Sequence, residues 1–243
     1  MKLIKLDAID STNDFLKGLS NAQTLENFTV VTAENQSKGK GQMGAKWVSE
    51  TGKNLIVSIL IKNILKKKSQ IFNLNFAIAL SILDALIPYK IPKLTIKWPN
   101  DIMSDDKKIA GILIENSIKS DKSIVSVIGI GININQSNFD NLPKASSLKN
   151  IMNQDFDKDE ILNKVYSAIL NRIEQLQIKS ENKLLDDYND KLFKKGIIMP
   201  FENKENEKFM GIIQEVTKQG KLKMILENDK VREYYIKEIS MLF

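Results

Sequence analysis

Residues 95–132 read TIKWPNDIMSDDKKIAGILIENSIKSDKSIVSVIGIGI, a run of β-type segments punctuated by turn formers. Three β-type runs, Thr95 to Trp98, Ile109 to Ile118 and Ile124 to Ile132, are separated by turn formers at Ser104-Asp105-Asp106 and Ser120-Asp121-Lys122. Strands joined by tight turns pair antiparallel, so the expected fold is α+β around a mainly antiparallel sheet, not a doubly wound parallel one. The same stretch holds the densest chemistry in the chain. Lys97-Trp98-Pro99-Asn100-Asp101 is followed at 107–111 by Lys-Lys-Ile-Ala-Gly. Two cations, one carboxylate and one bare backbone position are thus gathered around one hairpin, an inventory suited to handling a phosphate or a carboxylate. Lys97 and Trp98 fall on opposite strand faces, with Trp98 assigned to the core. Asp101 also reads as a turn-capping carboxylate, and Lys108 as a hairpin partner of Asp105 or Asp106. Gly111 sits inside a strand, where glycine marks a bulge or a ligand's close approach. Gly129 and Gly131 share a face that Asn133 and Asn135 continue, which reads equally as a ligand slot or a glycine-kinked strand.

Working outward, Leu3 to Leu6 reads as a short strand, and Ser11-Thr12-Asn13 as a helix N-terminus whose hydroxyls and amide either cap the helix or meet a ligand. Phe28 to Ala33 and Asn54 to Ile61 are strands, the second apolar enough for burial on both faces. Between them, Gly39-Lys40-Gly41-Gln42-Met43-Gly44 holds three of the eleven glycines. Such a loop is either a flexible surface segment or a backbone cradle for an anion, and its spacing fits neither a P-loop nor a dinucleotide fingerprint. Ile71 to Ile87 is the clearest helix, ended by Pro88 and Pro92. Helices follow at Lys158 to Ile178 and Asn182 to Lys194. From Gly196 the pattern changes to five short β-type runs, Ile197–Met199, Phe209–Val216, Lys221–Leu226, Val231–Ile236 and Glu238–Met241, which predict a small SH3-like β-barrel. The predicted domains are 1–194 and 195–243.

The 243 residues contain no cysteine and no histidine. Disulfides, thiolate metal sites, cysteine nucleophiles, imidazole acid–base chemistry and the Ser-His-Asp triad are thereby excluded. Chemistry here rests on lysines, carboxylates, amides and backbone N–H groups, with no protein metal site predicted. The N-terminus lacks a signal-peptide core and no segment reads as a membrane span, so the expected compartment is the cytoplasm. The net charge of +6 is a solvated lysine-rich surface or an attraction to an anionic partner. Lys66-Lys67-Lys68 lacks interleaved aromatics and reads as a loop between strand and helix.

Taken in order, Ser11-Thr12-Asn13, Gln36, the glycine loop with Trp47 after it, KWPND at 97–101, Lys108 with Ala110-Gly111, and Gly129/Gly131/Asn133 resemble the biotin–protein ligase family over nearly the whole chain. The resemblance implies a catalytic domain akin to the class II aminoacyl-tRNA synthetase core, and a two-step reaction. ATP activates biotin to biotinyl-5′-AMP, and a lysine of a biotin carboxyl carrier domain, such as that of acetyl-CoA carboxylase, then takes the biotinyl group. By resemblance, Lys108, Lys97 and Asp101 are catalytic. Biotin would be held by Ser11, Thr12, Asn13, Gln36, Lys40, Gly41, Gln42, Lys108, Gly111, Gly129 and Gly131. ATP and the adenylate would meet Gly39, Lys40, Gly41, Gln42, Met43, Trp47, Lys97, Asn100, Lys108 and Asn133. Magnesium would bridge the phosphates.

The family's loop is often written with arginines where this chain has Lys40, Gln42, Met43 and Ala45, so faster escape of the adenylate is expected. Some members carry an N-terminal helix-turn-helix domain. This chain starts at the catalytic domain, so no operator binding is expected, and members occur as monomers and as homodimers. The competing readings are a lipoate/octanoate–protein ligase of the same fold and a non-enzymatic nucleic-acid-binding protein. The KWPND run and the C-terminal barrel favour biotin over lipoate.

Overall fold

A computed structural model describes every residue except Lys66, Lys179, Ser180 and Phe243. Seven strands, β1 (Leu3–Ile9), β2 (Val30–Gln36), β3 (Leu55–Lys62), β4 (Leu94–Lys97), β5 (Asp101–Ser104), β6 (Lys107–Ile118) and β7 (Ile124–Ile132), form one sheet in the order β1-β2-β3-β7-β6-β5-β4. β1 and β2 run parallel, and the remaining neighbours pair antiparallel. The fold is therefore α+β with a mixed, mostly antiparallel sheet, as the 95–132 stretch predicts.

That stretch holds four strands, not three. Asp101–Ser104 forms β5, and the KWPND run is the turn that folds it back on β4, with Lys97 opposite Asp101. Four residues containing an aspartate and a serine carry too little β-signal to be read alone. Trp98 is consequently in a turn and not in a strand interior. It is half-buried, and its indole N–H donates to the carbonyl of Gly220, 2.9 Å away.

α2 (Ile71–Leu86) lies across one face of the sheet, with α4 (Lys158–Ile178) and α5 (Glu181–Asn189) beside it. Ile128, Ile130 and Ile132 of β7 and Ile112 of β6 fill the core with Phe76, Leu80 and Leu83 of α2. Helix α2 with its following turn is long and apolar enough to cross a membrane by length and composition, which corrects the expectation that no segment qualifies. Two-thirds of it is buried within the protein, so its apolar faces are matched by sheet and helices. On the sheet's other face α1 (Thr12–Ala22) packs Leu16 against Val31, Leu60 and Val127. Ser11 caps α1, its hydroxyl accepting from the Asp14 N–H.

Two further differences from the sequence reading concern helices. α5 ends at Asn189, not Lys194, because Lys191 and Phe193 pair their backbones with Ile96 of β4. A short α3 (Leu148–Met152), capped by Ser147, follows the loop after β7. Of the basic run at 66–68, Lys66 lies outside the described residues, and Lys68 opens a single 3₁₀ turn before α2.

The last fifty residues form a second sheet from β8 (Ile198–Asn203), β9 (Lys208–Val216), β10 (Leu222–Leu226), β11 (Val231–Tyr234) and β12 (Ile239–Met241), all antiparallel, in the order β11-β10-β9-β8-β12. It is tied to the first by Trp98 and Gly220, by Asn189 bonded both ways to Val216 (3.0 and 2.6 Å), and by the Lys237 ammonium on the Met43 carbonyl (2.6 Å).

Candidate active site

One irregularity in the ladder assembles the charged groups. Between β5 and β6, Asp101 pairs with Gly111 and Ile102 with Ala110, but Met103 pairs with Lys108. Ile109 is the extra residue of a bulge. Residues directly opposite share a face, so the bulge turns Lys108 onto the face of Asp101 and Gly111. In a regular strand, positions three apart would point to opposite sides. Lys97, opposite Asp101, joins the same face, and Gly131, Ile56, Gly129 and Ser58 extend it across β7 and β3.

Lys108 pairs with Asp101 (Nζ to Oδ1, 2.6 Å), not with the turn aspartates, which pair with Lys93 and Lys194. Burial holds Lys97 below the ordinary lysine range. The Asp101 carboxylate opposes that shift, and the nearby charges of Lys108 and Lys144 reinforce it. A strap from the 144–146 segment fixes Lys108, whose N–H donates to the Lys144 carbonyl and whose carbonyl accepts from Ser146.

Asp101, Lys108 and Gly111 form one end of a cavity of about 240 Å³. The glycine loop forms its lid. Trp47 N–H donates to the Gly39 carbonyl (3.0 Å) and Gly41 N–H to that of Ala45 (2.7 Å), closing residues 39–47 into a narrow ring. The indole of Trp47 lies against the sheet at Gly131 and Gly111, where any added Cβ would collide with it or press on it. The Lys108 ammonium stands 5.7 Å from that ring. The lid is tied down by Lys40 on Asp14 of α1 (2.5 Å) and by Lys237 on Met43. The Lys40 bond holds the Asp14 carboxyl below its usual range.

The other end is a polar floor. Gln36 Oε1 accepts from the Thr12 N–H (2.7 Å) and lies 3.0 Å from the Thr12 hydroxyl. That hydroxyl is 2.8 Å from Ser58 Oγ, which is 2.5 Å from Asn13 Oδ1. Asn13 Nδ2 donates to Glu115 Oε2 (2.8 Å), and the Lys17 ammonium donates to Glu115 Oε1 (2.7 Å). A Cβ on Gly129 would stand 2.6 Å from Asn13 Oδ1, so the glycine leaves room for this amide.

Of the residues the sequence singles out, Ser11, Thr12, Asn13, Gln36, Lys40, Gly41, Gln42, Trp47, Asn100, Asp101, Lys108, Gly111, Gly129 and Gly131 line the cavity. Four do not. Lys97 faces the adjoining cleft towards the second sheet, beside Gln42. Met43 is 63% exposed at the loop tip. Gly39 lies at the base of the loop, where a Cβ would meet the Trp47 carbonyl. Asn133 is buried and donates to the Ser146 carbonyl (3.0 Å), bracing the strap behind Lys108. Asn135 likewise leaves the glycine face and bonds both ways to the Phe156 backbone. Sequence reading misses Ser58, Glu115 and Lys17. Each looks like an ordinary strand or helix residue, and the Ser58–Asn13, Asn13–Glu115 and Lys17–Glu115 bonds each span 45 or more positions of chain.

An α+β protein with a lidded cavity, cationic at one end and hydrogen-bonding at the other, is the class the fold and site define. Residues 6–133, just over half of the sequence, match the biotin/lipoate A/B protein ligase family, and the chain belongs to that family. It is 35% identical over 129 residues to the bifunctional ligase/repressor BirA of Escherichia coli, covering 53% of this chain and 39% of that protein. It is 27% identical over 197 residues to the biotin–[acetyl-CoA-carboxylase] ligase of Mycobacterium tuberculosis, covering 79% and 71%. The chain thus spans about two fifths of the length of the curated relatives it matches first. Its structure superposes on the biotin protein ligase of Aquifex aeolicus in complex with biotin and ATP with a TM-score of 0.82, at 27% identity, over 99% of this chain and 98% of that one.

Proposed function

We propose that this protein is a biotin–protein ligase, which condenses biotin with ATP to biotinyl-5′-AMP and pyrophosphate and passes the biotinyl group to a lysine of a biotin carboxyl carrier domain, releasing AMP. The observation that carries the reading is the polarity of the cavity. The Lys108 ammonium stands by Gly111 and the oxygen-rich floor by Gly129, further along the same face of the sheet, as a ligand with an anionic tail and an N–H-bearing head requires. Biotin has both, in its carboxylate and its ureido ring. The dithiolane of lipoate and the alkyl end of octanoate offer the floor no N–H, so the floor favours biotin within this family.

Two anions meet in the first step, and cations placed where charge accumulates lower that barrier. Lys108 is assigned to the biotin carboxylate and the α-phosphate together, with Lys97 supplying further positive charge from the cleft. The lid, closed by Trp47 over the sheet glycines, keeps water from the mixed anhydride. Magnesium is assigned to the nucleotide as its phosphate-bound counter-ion. Among the described residues no three carboxylates gather into a metal cage. In the second step Asp101 orients the acceptor lysine or takes its proton, an amine ordinarily protonated at neutral pH with a pKa of about 10.4. The chain divides, in this reading, into a class II synthetase-like catalytic domain (1–194) and an SH3-like domain (195–243). The five-stranded antiparallel sheet supports the second.

The test is ATP–pyrophosphate exchange with magnesium, run in parallel with biotin, lipoate and octanoate. Exchange with biotin alone, reduced at least 10²-fold in Lys108→Ala, is the expected result. Exchange with lipoate or octanoate in its place would move the substrate, and no exchange with any acid would overturn the enzyme reading.

A further inference from the structure

The polar floor contains three oxygen–oxygen contacts and too few hydrogens to fill them. Gln36 presents an oxygen, because the Thr12 N–H can only donate to it. At the far end Asn13 presents its oxygen to Ser58, because its amino group faces Glu115. Between these two acceptors lie the hydroxyls of Thr12 and Ser58, with one hydrogen each. Two hydrogens must serve the contacts Gln36–Thr12 (3.0 Å), Thr12–Ser58 (2.8 Å) and Ser58–Asn13 (2.5 Å). If both hydroxyls point towards Gln36, Asn13 Oδ1 is left without a donor. If both point towards Asn13, Gln36 Oε1 loses its hydroxyl. Gln36 Oε1 then keeps only the Thr12 N–H, so in either direction an amide oxygen at the cavity wall has a lone pair left to accept from a ligand.

The group that fixes this deficit lies behind the cavity wall. Lys17 has only donors, and Asn13 and Lys17, one helical turn apart on α1, each donate to one oxygen of Glu115. We propose that Glu115, held by Lys17, is a positioning residue that locks Asn13 with its oxygen towards the floor and so makes the site select a head group bearing N–H donors. The proposal rests on the biotin reading above and extends it to a residue that does not line the cavity.

Replacing Glu115 by glutamine makes the consequence visible. Lys17, which also stands 3.5 Å from Asp14, has only donors and repels an amino group, so the new amide turns its oxygen to Lys17 and its amino group towards Asn13. Asn13 must then present its own oxygen to that group and its amino group to Ser58. Hydrogens now run from Asn13 through Ser58 and Thr12 to Gln36 without a gap, and the floor no longer needs the ligand's N–H. The reciprocal exchange, Asn13→Asp with Glu115→Gln, returns an acceptor to the floor, because the aspartate takes the glutamine's hydrogen on one oxygen and Ser58's on the other.

The experiment is pyrophosphate exchange with wild type, Glu115→Gln and the Asn13→Asp/Glu115→Gln pair. The substrates are biotin and an analogue with one ureido N–H replaced by oxygen. Glu115→Gln is expected to raise the biotin KM about tenfold, the effect of one hydrogen bond to a buried group. The KM for ATP and the rate at saturating biotin should stay as in wild type. The preference for biotin over the analogue should narrow by a similar factor, whereas mere loosening of the fold would weaken both alike. The paired variant is expected to recover biotin KM to within about threefold. If Glu115→Gln does not fold, the paired variant still decides, since it must bind biotin far better than Asn13→Asp alone. An unchanged preference in Glu115→Gln, or a paired variant no better than Asn13→Asp, would overturn the proposal while leaving biotin as substrate. Wild type that exchanges with none of the acids would remove the substrate reading instead, and this inference with it.

Discussion

Burial disfavours the Lys97 ammonium, the Asp101 carboxylate opposes that effect, and the charges of Lys108 and Lys144 add to it. The folded-state pKa of Lys97 lies below the ordinary value of 10.5, so as pH rises the folded chain releases this proton before the unfolded chain does. Between the two values the unfolded state binds more protons, and stability therefore climbs with pH through that window. Lys97→Met should remove the climb and stabilise the protein at neutral pH by about 1 kcal/mol, about 2–4 °C in Tm. Asp101 keeps its partner Lys108 in this variant. The same variant should lower the rate of adenylate formation about 10²-fold. Thermal scans from neutral pH to about 10.5, with single-turnover adenylation, check both. A destabilised Lys97→Met would show the ammonium to be held by its environment. Lys97, Asp101 and Lys108 were legible in the sequence because twelve consecutive residues contain all three. Ser58 and Glu115 were not, because a serine in an apolar strand and a glutamate near a strand end carry no local sign of the helix that later packs over them.

In the proposed reaction the lid is the element that would retain the intermediate, and its side-chain anchors are Lys40 and Lys237. Lys40 on Asp14 is a surface pair whose carboxylate is 43% exposed, worth less than about 1 kcal/mol to the fold. Asp14 titrates below its usual range, so the anchor is fully present above about pH 4 and is lost as acid protonates it. Asp14→Asn should therefore leave Tm within about 1 °C while freeing the loop, and pre-formed biotinyl-5′-AMP should leave about three to ten times faster. Gln42 lines the cavity wall and the adjoining cleft. Gln42→Arg, which restores a planar cation able to grip the phosphate in two places, should slow the same release. Stopped-flow release measured for the two variants in parallel should diverge from wild type in opposite directions. Unchanged release in both would mean that the loop does not retain the adenylate. The glycine-rich loop was legible in the sequence as a loop, but the bulge at Ile109 had no signal of its own. It arises because β5 and β6 must pair across a turn one residue out of step, and register is a property of two strands, not of either one.

The two sheets share a junction that neither could leave exposed. Gly220 sits at its centre, with φ of +74°, Phe72 of α2 pressed against its α-carbon and its carbonyl holding Trp98. The strand–turn pattern of residues 197–241 was readable from the sequence, but not the surface it packs on, because Phe72 and Trp98 look like core residues of the first sheet alone. Val216 and Asn189 exchange two hydrogen bonds across the same junction, and Lys237 reaches the lid from it. A chain so stitched should unfold in one step. Gly220→Ala forces both a left-handed backbone on alanine and a methyl group into Phe72, so it should cost about 2–4 kcal/mol and lower Tm by about 5–10 °C. In a Trp47→Phe background Trp98 is the sole tryptophan, since the chain has two. Its fluorescence and the far-UV circular dichroism should then melt together in Gly220→Ala, at the lower temperature. If Trp98 became exposed well before the helical signal fell, the second sheet would be detaching as an independent unit. Lys237 would then leave the lid in that intermediate state, and biotinyl-5′-AMP would escape fastest in the interval between the two transitions.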